Sequence, residues 1–137
     1  MAHKLQIIFI MKIMIATNDP ELIGMIEGDR TLAKDRYILH NNTNNALDLM
    51  SAVCTSNPSM LIFDDDYFES SSAHVLKSIR KVNQNLAIIF ITSNTSVQLG
   101  RVISQLAIHY YAHKPLDKNE LLDSIKSFAR IKKQSLY

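Results

Sequence analysis

The chain has 137 residues, of which 47% are hydrophobic and 20% are charged. This length is typical of one compact domain, and the composition argues against a disordered or fibrous chain. The net charge of +2 is too small to indicate a nucleic-acid or membrane surface by itself. Glycine is scarce, with three residues where about ten are usual for this length.

The N-terminal segment is apolar but short. Residues 5–16 are apolar apart from Gln6 and Lys12, and this stretch is well below the ~20 residues that span a bilayer. Because a complete strand begins after residue 10, we expect residues 1–10 to be an extension or an expression remnant. The domain itself is then predicted to cover residues 11–131, and residues 132–137 to form a tail.

Short apolar segments alternate with amphipathic segments along the chain. The apolar segments read as five strands at 12–17, 37–39, 60–63, 86–91 and 109–112. A first helix is expected from Pro20 to near Gly28, with Asp19 as its cap. The second carries Ala46 to Val53.

Three further helices are predicted from the same periodicity. Ser70–Ser72 can cap the third, Val97 to Leu106 form the fourth, and Asp117 or Asn119 caps the fifth. Continuous apolar strands separated by helices predict a parallel sheet covered on both faces. The expected fold class is therefore doubly wound α/β.

The single cysteine, Cys54, bears on location. One cysteine excludes an internal disulfide and is consistent with a reducing cytoplasm. Because Cys54 lies in an apolar helical pattern, we expect a buried thiol.

The polar residues that end the apolar strands are expected to be neighbours at the carboxyl edge of the sheet, where ligands bind in such folds. They are Thr17, Asn18 and Asp19 after the first strand, Asp64, Asp65 and Asp66 after the third, Thr92 after the fourth and Lys114 after the fifth. Carboxylates among oxygen ligands can hold Mg²⁺. A hydroxyl and an ammonium can stabilise a transferring phosphoryl group, for which a carboxylate is a known nucleophile.

The order Asp64, Thr92-Ser93, Lys114-Pro115 at successive strand ends resembles the receiver domain of two-component response regulators. The resemblance covers roughly residues 11–131. It implies a flavodoxin-like five-stranded parallel sheet in the order 2-1-3-4-5 with five helices. It also implies that the chain is not an enzyme beyond self-phosphorylation and self-dephosphorylation.

The resemblance assigns a role to particular residues. Asp64 is the phosphoacceptor, Thr92 the switch hydroxyl, Lys114 the contact to the phosphoryl oxygens, before an often cis Pro115, and Tyr111 the switch aromatic. Weakly bound Mg²⁺ is expected on Asp64, the backbone carbonyl of Asp66, Asn18 and, as a further candidate, Asp19.

Partners are implied in the same way. A histidine kinase or phosphotransfer protein would supply the phosphoryl group. A downstream protein, an effector domain or a second copy would bind the face formed by the fourth helix, fifth strand and fifth helix. No direct contact with nucleic acid or membrane is expected.

Three departures from the family pattern are visible. Thr17 and Asn18 stand where the family has an acidic pair, so we expect Mg²⁺ to bind weakly and Asp19 to cap the first helix rather than bind metal. Glu69 and Ser72 replace glycines of the acceptor loop, and Ala107 replaces a glycine before the fifth strand. Alternation along the strand end directs Asp65 away from Asp64.

Two alternatives to the phosphoacceptor stay open. The first is a pseudo-receiver, the same fold acting as a protein-binding module without phosphoryl chemistry. The second is a haloacid-dehalogenase-like phosphatase, because Asp64-x-Asp66 after an apolar strand resembles that family's first motif.

Overall fold

The structure, a computed structural model, describes residues 11–30, 32, 36–68 and 71–134, the last three of these by their backbone alone. Residues 1–10 and 135–137, for which an extension and part of a tail are predicted, lie outside the described residues. So do Glu69 and Ser70. Among the described helices, none combines the length and the apolar composition needed to cross a bilayer.

Strands and helices alternate throughout the described chain. In order they are β1 (Lys12–Ala16), α1 (Pro20–Glu27), β2 (Arg36–His40), α2 (Ala46–Ser56), β3 (Met60–Asp64), α3 (Ser72–Val82), β4 (Ala87–Thr92), α4 (Val97–Ser104), β5 (Tyr110–His113) and α5 (Lys118–Gln134). A 3-10 turn, Asp65–Tyr67, follows β3 directly.

The five strands form one parallel sheet in the order β2-β1-β3-β4-β5. The predicted doubly wound architecture and its strand order are therefore confirmed. The central strands β3 and β4 are buried along their whole length, as their continuous apolar sequences predict. The edge strands β2 and β5 are partly exposed.

Alternating side chains of the strands feed two cores, one on each face of the sheet. Ile13 and Ile15 of β1 pack with residues of α1 and α5. Met14 and Ala16 of the same strand pack on the opposite face with residues of α2, α3 and α4. Two buried layers hold the sheet rigid, and its carboxyl edge can therefore hold polar groups in fixed positions.

A row of aromatic rings crosses the second core toward β5. Phe63 of β3 stacks on Phe90 of β4 with ring centroids 5.8 Å apart, and Phe90 contacts Tyr111 of β5 at 5.0 Å. Since these rings come from neighbouring strands, they link the middle of the sheet to its β5 edge.

The helix caps are partly as predicted. The side chain of Asp19 accepts a hydrogen bond from the Glu21 N–H at 3.0 Å, which confirms it as the cap of α1. Asp117, rather than Asn119, caps α5 by accepting from the Asn119 and Glu120 amides. Ser71 occupies the cap position of α3 but makes no side-chain cap bond.

The prediction that Cys54 is buried is wrong, because its thiol lies on the exposed side of α2. The core face of that helix consists of Leu49 and Val53. Cys54 follows Val53 directly and is therefore rotated by about 100° from it around a helix of 3.6 residues per turn.

The turn before β5 holds a non-glycine residue in the left-handed region. Ala107 has φ 56°. It stands at the position where the family pattern noted above has a glycine. The partly buried guanidinium of Arg80, whose pKa is lowered by burial, donates to the carbonyls of Leu106 at 3.0 Å and Ala107 at 3.2 Å. Arg80 therefore fixes the strained turn against the end of α3.

We expect Ala107→Gly to raise the free energy of unfolding by about 0.5–1 kcal/mol. A left-handed alanine is strained by roughly 1–2 kcal/mol, and the greater unfolded-state freedom of glycine offsets part of the relief. Urea denaturation measures the change. Ala73→Gly within α3 is the matched control and should lower stability by about 0.5–1 kcal/mol. A loss of stability in both variants would contradict the strain at Ala107.

Candidate functional site at the carboxyl edge of the sheet

Four polar side chains meet where the central strands end. Asp64 is the last residue of β3 and is 2% exposed. Thr17 follows β1, Thr92 ends β4, and both are fully buried. Lys114 follows β5, and the Lys114–Pro115 peptide bond is cis. The parallel sheet thus brings together residues that are up to 97 positions apart, counted from 17 to 114.

Both carboxylate oxygens of Asp64 are engaged by other groups of the chain. The Thr17 hydroxyl donates to Oδ2 at 2.6 Å. The Lys114 ammonium donates to Oδ1 at 2.9 Å, and the Asp66 amide donates to the same oxygen at 3.1 Å. The negative charge of Asp64 is therefore balanced within the protein.

Asp65 points away from Asp64, as the alternation along the strand predicts. Its Oδ2 accepts from the Thr92 hydroxyl at 2.6 Å, and its Oδ1 accepts from the hydroxyl of Ser72 at the start of α3. The predicted switch hydroxyl, Thr92, thus binds Asp65 and not the predicted acceptor Asp64.

Asp66 turns outward toward β4 and β5. Its carboxylate accepts from the Ser93 hydroxyl at 2.7 Å and from the Ser93 amide at 3.2 Å. It also forms an ion pair with Lys114 at 2.9 Å. Lys114 therefore lies between two carboxylates, Asp64 and Asp66.

Charge pairing sets the ionisation of this cluster. Burial lowers the pKa of Lys114, but hydrogen bonds and charge from Asp64 and Asp66 outweigh it and raise the pKa above its ordinary value. Burial raises the pKa of Asp66, yet the bonds from Ser93 and Lys114 prevail and lower it. Both groups are thus held in their charged forms.

Tyr111, the predicted switch aromatic, has its hydroxyl directed into the protein. The oxygen is buried, and no hydrogen-bond partner for it occurs among the described residues. Burial, and then the charge of Asp65, raise the pKa of this phenol. The ring lies between Phe90 and His113, with centroid distances of 5.0 Å to each.

The remaining predicted residues lie at the rim. Asn18 is exposed, and the side chain of Asp19 is used in the α1 cap. Asp19 also lines a shallow cavity of about 150 Å³ beside Lys114 and Pro115.

Three residues without a predicted role complete the cluster, namely Thr17, Ser72 and Ser93. Thr17 and Ser72 depart from the family pattern, and each donates a hydroxyl hydrogen bond to a carboxylate. Their signal in the sequence is therefore the replacement itself, because a hydroxyl at a strand or helix end beside an acid can donate to it.

The donor set around Asp64 does not fit a magnesium ion. Mg²⁺ requires oxygen ligands in a near-octahedral arrangement, usually including one or two carboxylates. Here the Asp64 oxygens already accept from a hydroxyl and an ammonium, and Asp65 and Asp66 are turned to other partners. Within the described ranges, no three His, Cys, Asp or Glu side chains are grouped to hold a metal ion.

Comparison with known sequences gives one family. The model of the response regulator receiver domain matches residues 13–126, which is most of the chain. No curated protein sequence matches the chain significantly.

Comparison with solved structures gives the same fold. The signal receiver domain of a protein described as a Luxo repressor, from Vibrio parahaemolyticus, has 18% identity and a TM-score of 0.76, covering 93% of this chain and 97% of its own. A CheY-like receiver domain protein from Methanospirillum hungatei JF-1 has 14% identity and a TM-score of 0.76, covering 93% and 99%.

A third solved structure is a DNA-binding response regulator of the LuxR family from Staphylococcus aureus. It has 22% identity and a TM-score of 0.70, covering 86% of this chain and 98% of its own. At these identities the likeness concerns the fold.

We expect acid to destabilise the domain partly through Asp66. Because its pKa is lower in the folded state, its contribution is complete above its ordinary pKa and is lost as the pH falls through the folded value. The exposed pair limits this contribution to about 0.5–1 kcal/mol. Urea denaturation from pH 6 to pH 3 should therefore give a shallower fall for Asp66→Asn than for the wild type.

Asp123→Asn, on the exposed side of α5, removes a carboxylate outside the site and is the matched control for the substitution itself. Parallel curves for the wild type and Asp66→Asn would refute a folded-state pairing of Asp66 with Ser93 and Lys114.

Proposed function

The chain belongs to the response regulator receiver domain family of two-component signalling, and on that premise we propose that it is a protein-binding signalling module of the pseudo-receiver type. In this proposal the edge carboxylates are held by hydrogen bonds and ion pairs from the chain's own side chains, and phosphorylation of Asp64 is not the input. The single cysteine favours a cytoplasmic location.

One observation carries this proposal, namely the engagement of both Asp64 oxygens. An attacking carboxylate oxygen needs a free lone pair that faces phosphorus. Oδ1 already accepts from Lys114 and from the Asp66 amide, so Oδ2 is the oxygen left to attack, and it accepts from the Thr17 hydroxyl at 2.6 Å. The residue at position 17 is a hydroxyl donor where the family has an acid, so it fills a lone pair of Asp64 instead of adding negative charge for a cation.

The proposed partner surface is the face of α4, β5 and α5. Apolar side chains are exposed on its two helices: Val97 is 76%, Val102 41% and Ile131 55% exposed. Exposed apolar side chains of this kind favour a protein contact. We propose a downstream protein, an effector domain or a second copy of the chain as the occupant.

A second candidate function is phosphoryl acceptance on Asp64 from a histidine kinase or phosphotransfer protein. The contact of 2.9 Å between Lys114 and Asp64 favours it, because an ammonium at this place can also stabilise phosphoryl oxygens. Receiver domains generally bind Mg²⁺ for this reaction. In this candidate, Thr17 would have to release Asp64, and Mg²⁺ would bind weakly.

The third reading, a haloacid-dehalogenase-like phosphatase, has no observation in its favour. Asp66 is paired with Lys114 and Ser93 and does not stand beside Asp64 as an acid–base partner. We propose that the domain is not an enzyme.

We expect no phosphorylation of the wild type by a small phosphoryl donor. The chain is incubated with acetyl phosphate and Mg²⁺, and its intact mass is measured against a matched Asp64→Asn sample. An unchanged wild-type mass supports the proposal. A gain of one phosphoryl group that is absent in Asp64→Asn would instead establish the second candidate.

Restoring the acidic pair at positions 17 and 18 should create a Mg²⁺ site beside Asp64. In the double variant Thr17→Asp/Asn18→Asp, the hydroxyl donor at Asp64 is replaced by carboxylates. We expect Mg²⁺ to raise its melting temperature by several degrees relative to EDTA, and acetyl phosphate to add one phosphoryl group that the wild type does not accept. The single variant Asn18→Asp should give a smaller effect, because Asn18 is exposed and Thr17 would still occupy Oδ2.

If Mg²⁺ leaves the melting temperature of the double variant unchanged, the account of position 17 is wrong. Thr17→Ser is the matched control, since it keeps the hydroxyl and should respond to Mg²⁺ as the wild type does.

A further inference from the structure

Asp65 is a partly buried carboxylate to which the proposed function assigns no role. It belongs to the 3-10 turn after β3, and its two oxygens accept from hydroxyls on different elements, Thr92 of β4 and Ser72 of α3. A carboxylate that accepts two hydroxyl bonds can position both donors, because charge-assisted hydrogen bonds are short and strong.

Three successive short turns lead from Thr92 to the start of α4, and in each a side-chain oxygen accepts from a backbone amide two or three residues later. The Thr92 hydroxyl oxygen accepts from the Asn94 amide at 2.9 Å. The Asn94 side chain accepts from the Ser96 amide at 2.8 Å, and the Ser96 hydroxyl caps α4 by accepting from the Leu99 amide at 3.3 Å. Each step is three residues long or less, so the series has little freedom to change at one end alone.

Helix α4 also lies close to Tyr111 of β5. A Cβ placed on Gly100 of α4 would lie 3.9 Å from the Tyr111 hydroxyl oxygen, so α4 is seated directly over this phenol. Burial, and then the charge of Asp65, raise the pKa of the Tyr111 phenol. Asp65 thus bears on α4 through Thr92 and on the residue beneath α4 through its charge.

We propose that Asp65 is an internal anion that fixes the position of α4, acting through Thr92. Its carboxylate is the acceptor that holds the Thr92 hydroxyl in place. The inference rests on the proposed function. A fixed α4 gives the proposed protein-binding module a single conformation of the surface that carries the exposed Val97 and Val102.

The proposal is tested by amide hydrogen exchange, measured by NMR on the full chain in EDTA without any phosphoryl donor. In Asp65→Ala, the amides of Asn94, Ser96 and Leu99 should exchange at least tenfold faster than in the wild type. The Tyr111 ring resonances should shift at the same time. Amides of α1, which packs on the other face of the sheet, should exchange at the wild-type rate.

Matched variants separate this role from general packing. Thr92→Val removes the hydroxyl at nearly constant volume and should reproduce the effect of Asp65→Ala, and Thr92→Ser should restore wild-type exchange. Ser72→Ala removes the other donor to Asp65 without interrupting the path to α4. It should therefore leave the Asn94, Ser96 and Leu99 amides within twofold of the wild type.

The inference is overturned if Asp65→Ala is folded and those three amides exchange within twofold of the wild type. Should Asp65→Ala not fold, the same criterion applies to Thr92→Val. Because no phosphoryl donor is present, this result is independent of the acetyl phosphate experiment. Labelling of Asp64 would overturn the proposed function, whereas unchanged exchange overturns only the role of Asp65.

Discussion

Three consecutive carboxylates stand at the end of β3, and the Lys114 ammonium pairs with two of them, so much of the carboxyl edge is arranged around an excess of negative charge. Asp64, Asp65 and Asp66 would repel one another if they faced the same volume. The chain separates them through a 3-10 turn that sends each side chain to different donors. Lys114 forms ion pairs with both Asp64 and Asp66, and hydroxyl groups donate to the other oxygens.

This separation joins parts of the chain that are distant in sequence. Asp64 links β3 to the loop after β1, Asp65 links it to β4 and α3, and Asp66 links it to the loop after β4 and to β5 through Lys114. The strand order makes this possible, because β3 lies at the centre of the sheet between β1 and β4. A charge pattern of three residues therefore determines how four loops meet.

The sequence was sufficient for the fold because burial leaves a strong periodic signal. Continuous apolar segments predicted β3 and β4, and Asp19-Pro20 predicted the start of α1. It was also sufficient to place Asp64, Thr92 and Lys114 at one edge. It did not predict that Thr92 binds Asp65, since that pairing depends on the 3-10 geometry of a turn whose sequence carries no distinctive signal. The burial of Cys54 was predicted wrongly because Cys54 directly follows the core residue Val53, and the apolar pattern of α2 does not show which of the two neighbours faces the core.

The turn at Ala107 has a consequence for how this sequence can diverge. Its left-handed backbone is held by the Arg80 guanidinium, which also binds the carbonyl of Leu86 before β4. Losing Arg80 would therefore be most harmful while alanine occupies position 107 and better tolerated once glycine is there. The two positions are expected to be epistatic, and descendants of this chain would accept the substitutions more readily in the order Ala107 first, Arg80 second.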